Sequence, residues 1–467
     1  MYKLFLPLLL ALSVGGCAAG PDYRPPETSS LVGGPFVTQA TAFDPATSLP
    51  DQWWKLYDDP ALNALVAQAL GANTDLRVAA ANLAKARAAF RETKAARLPG
   101  TEINGGISYG DGMQGAGGAF TQNTPQWSGN GSLSVNWEMD LFGRVSRAVE
   151  AARADAQVVE AARDAVRVTV AAETTRAYLD ACSYSYALGL AQDSYRTSSE
   201  SLKLVIAQEK AGSVSRFDVE RASAAAATAR AAIPGLEAQH QAVLFELAAL
   251  LGGTPTDVPP AARQCKMPPA PALALPIGDG TALLRRRPDL RQAERQLAAD
   301  TARIGVATAA LYPKVSLGGS GNFFRNDNVQ GNDSLSFSVG PLVSWSFPNI
   351  SVARARIRQA EAQGDASLAA FDGVVLNALK QVEQALGNVA REEERLAALD
   401  EAKVRSQRAF DLANIRYQAG SVGLLDVLVA QSVLLDAQSA HASSLQRLSS
   451  LRIDLFKSLG GGWMTAP

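Results

Sequence analysis

Two hydrophobic periods alternate along this chain, and each occurs twice. Ser132-Leu133-Ser134-Val135-Asn136-Trp137-Glu138-Met139-Asp140 alternates polar and apolar throughout, and so does Leu335-Ser336-Phe337-Ser338-Val339-Gly340. A period of two is what a strand with one apolar face requires. Glu102 to Tyr109 and Val315 to Phe324 are looser, glycine-rich partners, and the polar, glycine-rich stretches Gly110 to Gln126 and Arg325 to Asp333 read as the loops between them. Two β-hairpins are therefore expected, with strands of about 9–11 residues, the length that crosses a membrane in a β-barrel. Tyr109, Trp137, Trp345 and Phe347 fall near strand ends, where an aromatic girdle belongs. The same alternation also suits the edge or cap of a soluble sandwich.

The second period is helical. The chain has 23 prolines, yet none lies between 126 and 233 or between 349 and 466. Proline costs about 3 kcal/mol inside a helix, so such gaps mark protected helices. Val145 to Lys210 and Val352 to Gln418 are rich in Ala, Arg, Glu and Val. Each predicts a rod on the order of 100 Å long, which must pack sideways against other rods. Each rod stops at a glycine, Gly212 or Gly420. A second helix then returns from Phe217 or from Leu424, and in the latter Leu448, Leu451, Leu455 and Leu459 share one helical face. Pro234-Gly235 is expected to kink or break the first return helix.

These elements are two copies of one unit. Ala211-Gly212-Ser213-Val214 recurs as Ala419-Gly420-Ser421-Val422, an offset of 419 − 211 = 208. Asp218-Val219 and Asp426-Val427, Gly252-Gly253 and Gly460-Gly461, and Trp137 and Trp345 keep that offset. Asp75-Leu76-Arg77 and Asp289-Leu290-Arg291, with Pro99 and Pro313, are 214 apart. A symmetric wall or conduit needs such duplication; an enzyme with one site rarely does. One chain supplies only four strands, whereas known barrels start at about eight, so copies of the chain must share a barrel.

The N-terminus supplies an address. Lys3 precedes the apolar stretch Leu4 to Leu12, and Val14-Gly15-Gly16-Cys17 follows. This is a secretory signal whose end resembles a bacterial lipobox, making Cys17 the lipidation site. By resemblance to lipoprotein sorting, Ala18 after the cysteine favours the outer membrane. The expected organisation is a signal peptide over 1–16, a lipidated tether and short helix over 17–74 and a first repeat over 75–253. A Pro-rich connector over 254–288, a second repeat over 289–461 and a tail over 462–467 complete it. Cys182 and Cys265 are free to pair in an exported protein or to stay as thiols. The net charge of −1 gives no reason to expect nucleic acid. No segment after the signal offers the roughly 20 apolar residues of a spanning helix.

Several motifs resemble the TolC/OprM family of outer-membrane efflux channels, in its lipoprotein (NodT-like) branch. They are Trp53-Trp54-Lys55-Leu56-Tyr57-Asp58-Asp59-Pro60, Arg285 to Glu294, Ala309 to Val315, and Trp137-Glu138-Met139-Asp140-Leu141-Phe142-Gly143-Arg144. The resemblance implies a mainly α protomer with membrane β. It is a tandem duplication of long coiled helical hairpins plus two β-hairpins, and it forms a homotrimer. Three chains would close a twelve-stranded β-barrel in outer-membrane lipid on a twelve-helix α-barrel. The helical turns would dock on a periplasmic adaptor protein and, through it, an inner-membrane pump. By the same resemblance, Asp218, Asp426 and Tyr417 form a periplasmic gate, with Asp218 the partner of Tyr417, although Tyr417 equally suits an ordinary contact between helices. Leu425 is the candidate for a hydrophobic constriction there, and Leu424 competes for that role. Gly212, Ser213, Val214, Gly420, Ser421 and Val422 make the adaptor-docking tip. Val422 stands where the family carries a basic residue, so one gate tie is missing. Both aspartates also suit helix starts, where a negative charge opposes the macrodipole.

Nothing in the chain asks for a catalytic residue, cofactor or metal. His240 and His441 have no cysteine or carboxylate cluster at metal-ligand spacing. The other non-catalytic reading is a structural periplasmic helical lipoprotein without a pore.

Overall fold

The computed structural model describes residues 18–26, 34–110, 125–271, 274–327, 329–345 and 349–461. The signal over 1–16, Cys17, Phe347, the tail over 462–467 and most of the first hairpin loop lie outside these residues. Two compact units emerge: one from residues 1–26, 82–160 and 292–372, the other from 27–81, 161–291 and 373–467.

Helices dominate. They are α1 (Pro60–Ala72), α2 (Thr74–Ala95), α3 (Arg144–Lys210), α4 (Arg216–Leu250), α5 (Pro260–Gln264), α6 (Gly280–Arg286), α7 (Pro288–Ala309), α8 (Ile350–Gln418) and α9 (Leu424–Ser458). The two rods run 67 and 69 residues, within two residues of the ends that proline exclusion and glycine stops predict. Asp140 starts α3, its carboxylate accepting the Val145 and Ser146 backbone N–H groups at 2.8 and 2.7 Å. Among the described residues no helix is long and apolar enough to cross a membrane.

The first unit holds the sheet, built from β2 (Gly100–Gly110), β3 (Gln126–Met139), β5 (Lys314–Arg325) and β6 (Leu335–Ser344), antiparallel in that order. The duplication reaches single bonds. Trp137 Nε1 donates to the Arg97 carbonyl at 3.0 Å and Trp345 Nε1 to the Leu311 carbonyl at 3.2 Å, each just before its strand pair. The segment after Cys17 is docked rather than free. The Ala19 N–H donates to the Phe142 carbonyl at 3.0 Å, and Arg147 holds the Asp22 carboxylate at 2.6 Å. Tyr23 packs on Ala154, Ala298 and Ala299, and its hydroxyl donates to Glu294 at 2.9 Å.

The second unit carries an aromatic core that explains the opening tryptophan motif. Trp53 is fully buried, its ring centroid 4.9 Å from that of Phe456, with Trp54 and Tyr57 alongside. The repeated glycine pairs end the return helices. Gly252 and Gly460 adopt φ of +75° and +74°, and a Cβ on Gly252 would sit 2.8 Å from the Ala72 carbonyl oxygen. Only glycine tolerates both demands. Side chains stitch the same places. Asn73 caps α2 and donates to the Leu250 carbonyl at 3.0 Å. Arg287, at the equivalent place in the second repeat, donates to the Ser458 carbonyl at 2.8 Å while holding Asp289 at 2.6 Å.

Two features differ from the sequence reading, and a third settles an alternative that the sequence left open. Pro234 does not break its helix: α4 runs unbroken from Arg216 to Leu250 with Pro234 inside it. Its ring and Arg230 one turn earlier are exposed, so water can satisfy the carbonyl that loses its partner. The segments read as tether and connector also hold order. β1 (Phe43–Asp44) pairs in parallel with β4 (Leu275–Pro276), and α5 and α6 lie within the connector. Strands of two residues are too short to show a period. Finally, Cys182 and Cys265 form a disulfide with Cα atoms 4.9 Å apart, tying the connector to α3.

Candidate functional site

Register divides the sheet into two chemically opposite faces. Direct pairing puts Ile103 opposite Leu133, Leu133 opposite Gly321 and Gly321 opposite Phe337. The next row on that face joins Thr101, Val135, Gly319 and Val339. One residue along, every position flips. There Asn104 faces Ser132, Ser132 faces Asn322 and Asn322 faces Ser336. Hydroxyls pair across strands on this side: Ser108 with Ser128 and Ser320 with Ser338, both at 2.9 Å.

The apolar face is uncovered. Ile103 is 81% exposed, Phe337 87% and Val339 78%. An apolar patch of this extent on a chain in water marks a membrane or protein interface. A soluble sandwich would bury it. Near the loop end of the same face Tyr109 sits across from Trp127, ring centroids 5.3 Å apart. The outer strands β2 and β6 each leave one row of backbone groups unpaired in a single chain.

The two helical-hairpin turns are built alike. Gly212 takes φ +74° and Gly420 φ +69°. The Ser213 N–H donates back to the Gln208 carbonyl and the Ser421 N–H to the Arg416 carbonyl, both at 2.9 Å. This is the glycine-capped helix stop, which gives carbonyls of the last turn backbone partners. Gly212, Ser213, Gly420 and Ser421 are exposed, while Val214 and Val422 are half-buried.

Each aspartate sits at the start of its return helix. The Asp218 carboxylate accepts the Ser215 N–H at 3.1 Å and its hydroxyl at 2.7 Å. These bonds, the hydroxyl's foremost, hold the carboxyl below its ordinary range. The Ser215 hydroxyl in turn accepts the Asp218 N–H, completing a capping box. Asp426 accepts the Gly423 N–H at 3.0 Å, and glycine returns no side-chain bond. The second return helix thus starts on fewer bonds than the first, while within its turn the Ser421 hydroxyl donates to the Arg416 carbonyl at 3.0 Å.

Tyr417 and Asp218 of one chain are not brought together. The Tyr417 hydroxyl donates to Gln208 Oε1 at 2.5 Å, linking the ends of the two rods. Its ring packs on a small cluster of Val205, Ala222 and Leu424. Leu424 is therefore spent on the interior, and Leu425, 49% exposed, is the neighbour left for a constriction. Sequence reasoning missed Gln208, because a bond spanning 209 residues leaves no local trace. It also missed the exposed Phe217 ring beneath Arg221, an aromatic at a turn that was visible in the sequence. Among the described residues no group of His, Cys, Asp and Glu is placed to hold a metal ion.

Comparison with known proteins agrees with these features. The family model for outer membrane efflux proteins matches residues 65–253 and 281–461, one match per repeat. Nodulation protein T of Rhizobium leguminosarum bv. trifolii is 30% identical, over 97% of this chain and 96% of the relative. Outer membrane protein OprJ of Pseudomonas aeruginosa is 32% identical, over 98% and 95%. The structure of the outer-membrane channel OprN aligns with a TM-score of 0.87 at 36% identity, covering 96% of this chain and 100% of that one. The open state of the Neisseria gonorrhoeae MtrE outer membrane channel aligns at 0.82 with 26% identity, over 96% and 99%.

Proposed function

The chain belongs to the outer membrane efflux protein family, and from that premise we propose that three copies close one export pore. The protein is an outer-membrane channel component of an efflux pump. The observation that carries the shared pore is the four-stranded sheet with one apolar and one polar face and two unpaired edges, and the count of three is supported by the likeness to the channel family. Lipid cannot satisfy an open edge, so β2 of one copy must pair with β6 of the next. Three such sheets give twelve strands, apolar side to lipid and the serine and asparagine side to water. The long helices pool in the same way to continue the wall. Cys17 carries the acyl chains, and the docked segment from Ala18 to Tyr23 fixes where they leave the protein.

Asp218, Asp426, Tyr417 and Leu425 gate this conduit, and Gly212 to Val214 with Gly420 to Val422 meet the adaptor that links channel to pump. The Tyr417–Gln208 bond supports the gate reading because it fastens the ends of α3 and α8. The exposed glycine turns support the docking reading because they offer small, regular backbone surfaces.

The pore and its gate are tested together in planar bilayers. The purified protein migrates as a detergent-stable trimer and conducts. Tyr417→Phe removes a hydrogen bond of about 1 kcal/mol per copy. Three copies shift the closed-to-open ratio by about 3 kcal/mol, roughly a hundredfold. Combined with Asp426→Ala, single-channel conductance rises; unchanged conductance removes the gate assignment. At the turns, Gly420→Leu forces a branched side chain into the left-handed region at about 1–2 kcal/mol. It weakens capture of the adaptor, and wild-type recovery in a pull-down counts against the docking role.

A further inference from the structure

The polar face of the sheet carries little charge, and that charge is unevenly held. Across the four strands the charged side chains are Glu102, Glu138, Lys314 and Arg325. Arg325 stands opposite Gly129 at the loop end of the apolar face. Glu138 and Lys314 lie on the polar face and bond each other at 3.0 Å, with Arg144 on the same carboxylate. Asp140, capping α3 beside them, brings that junction to two carboxylates against two cations. Glu102 is different. It stands opposite Ser134, on the polar face, exposed and with no ion-pair partner among the described residues. Its neighbours there are hydroxyls and amides, which favour neither sign of charge.

We propose that Glu102 sets the charge preference of the strand-walled passage. Three copies place three uncompensated carboxylates in one ring, about 13 Å along β3 from the neutral junction at Glu138, at roughly 3.3 Å per residue. A water-filled passage with low-dielectric walls concentrates such a field. Anionic solutes are disfavoured there, and neutral or cationic cargo passes. This selectivity rests on the trimeric-pore reading, because one copy encloses no passage.

The test measures reversal potential across a KCl gradient in planar bilayers holding the full-length protein, with Asp218 and Asp426 intact. Wild type prefers K⁺. Glu102→Gln, similar in size and on the water face, lowers the cation-to-anion permeability ratio roughly threefold. A potential of about half of kT does this, because it acts with opposite sign on the two ions. Glu102→Lys moves the ratio further the same way, and both effects shrink in high salt. Conducting trimers whose reversal potential is the same in wild type and both variants overturn the role of Glu102 and leave the pore reading standing. Failure of the wild type to conduct at all removes the pore reading, and this inference with it.

Discussion

Val339→Arg abolishes the heat-resistant trimer, whereas Ser338→Arg, one residue away, leaves it assembled. Both side chains lie in the middle of β6, but register sends them to opposite faces. Val339 is opposite Gly319 on the uncovered apolar face; Ser338 is opposite Ser320 on the hydroxyl face. An arginine facing lipid near the midplane costs about 2–4 kcal/mol. Three copies bring the cost to about 6–12 kcal/mol, comparable with the whole stability of an ordinary domain. An arginine on the polar face loses one hydroxyl bond, about 1 kcal/mol per copy, and keeps its charge in water. The readout is migration with and without heating, with urea-solubilised total protein as the expression control. Equal loss in both variants would mean that both faces are buried, and the lipid-facing assignment would fall.

The second large effect concerns the connector. Reducing Cys182–Cys265, or replacing both residues by alanine, destabilises the chain by about 4 kcal/mol, as expected for removing a cross-link across a separation of 83 residues. If the whole chain unfolds together, the melting temperature falls by roughly 4 °C. Cys182 is fully buried on α3, so reduction without unfolding is slow and the double variant is the cleaner experiment. Protease cleavage within residues 254–271 also accelerates, because α5 and its flanking loops lose their covalent hold on α3. Matching melting curves for wild type and the double variant, with thiol titration confirming the bond in wild type, would leave the disulfide without a stabilising role.

Much of the helical architecture was legible because its signals are local. Prolines are excluded from α3 and α8 by sterics that act within one turn, and Gly212 and Gly420 stop them by permitting a left-handed residue. Helix ends therefore fell within two residues of expectation. Ser215-Arg216-Phe217-Asp218 carries the spacing of a capping box, and Asp218 closes one. Alternation in β3 and β6 announced two faces, and Trp137 and Trp345 marked equivalent corners of two repeats. The partner of Tyr417 was not legible. Gln208 lies on another rod, and nothing within several residues of either side chain names the other.

The sequence by itself determined the duplication, the lengths of the rods, the glycine stops and the two-faced strands. Each follows from the steric and burial preferences of residues a few positions apart. Only the tertiary structure decided that Cys182 meets Cys265, that Pro234 stays within a continuous helix, that Arg287 takes over the stitching done by Asn73, and that Glu102 stands unpaired where Glu138 does not. Those outcomes depend on which surfaces long stretches of chain bring together. That choice is made by the packing of many weak contacts at once, and no short window of sequence contains it.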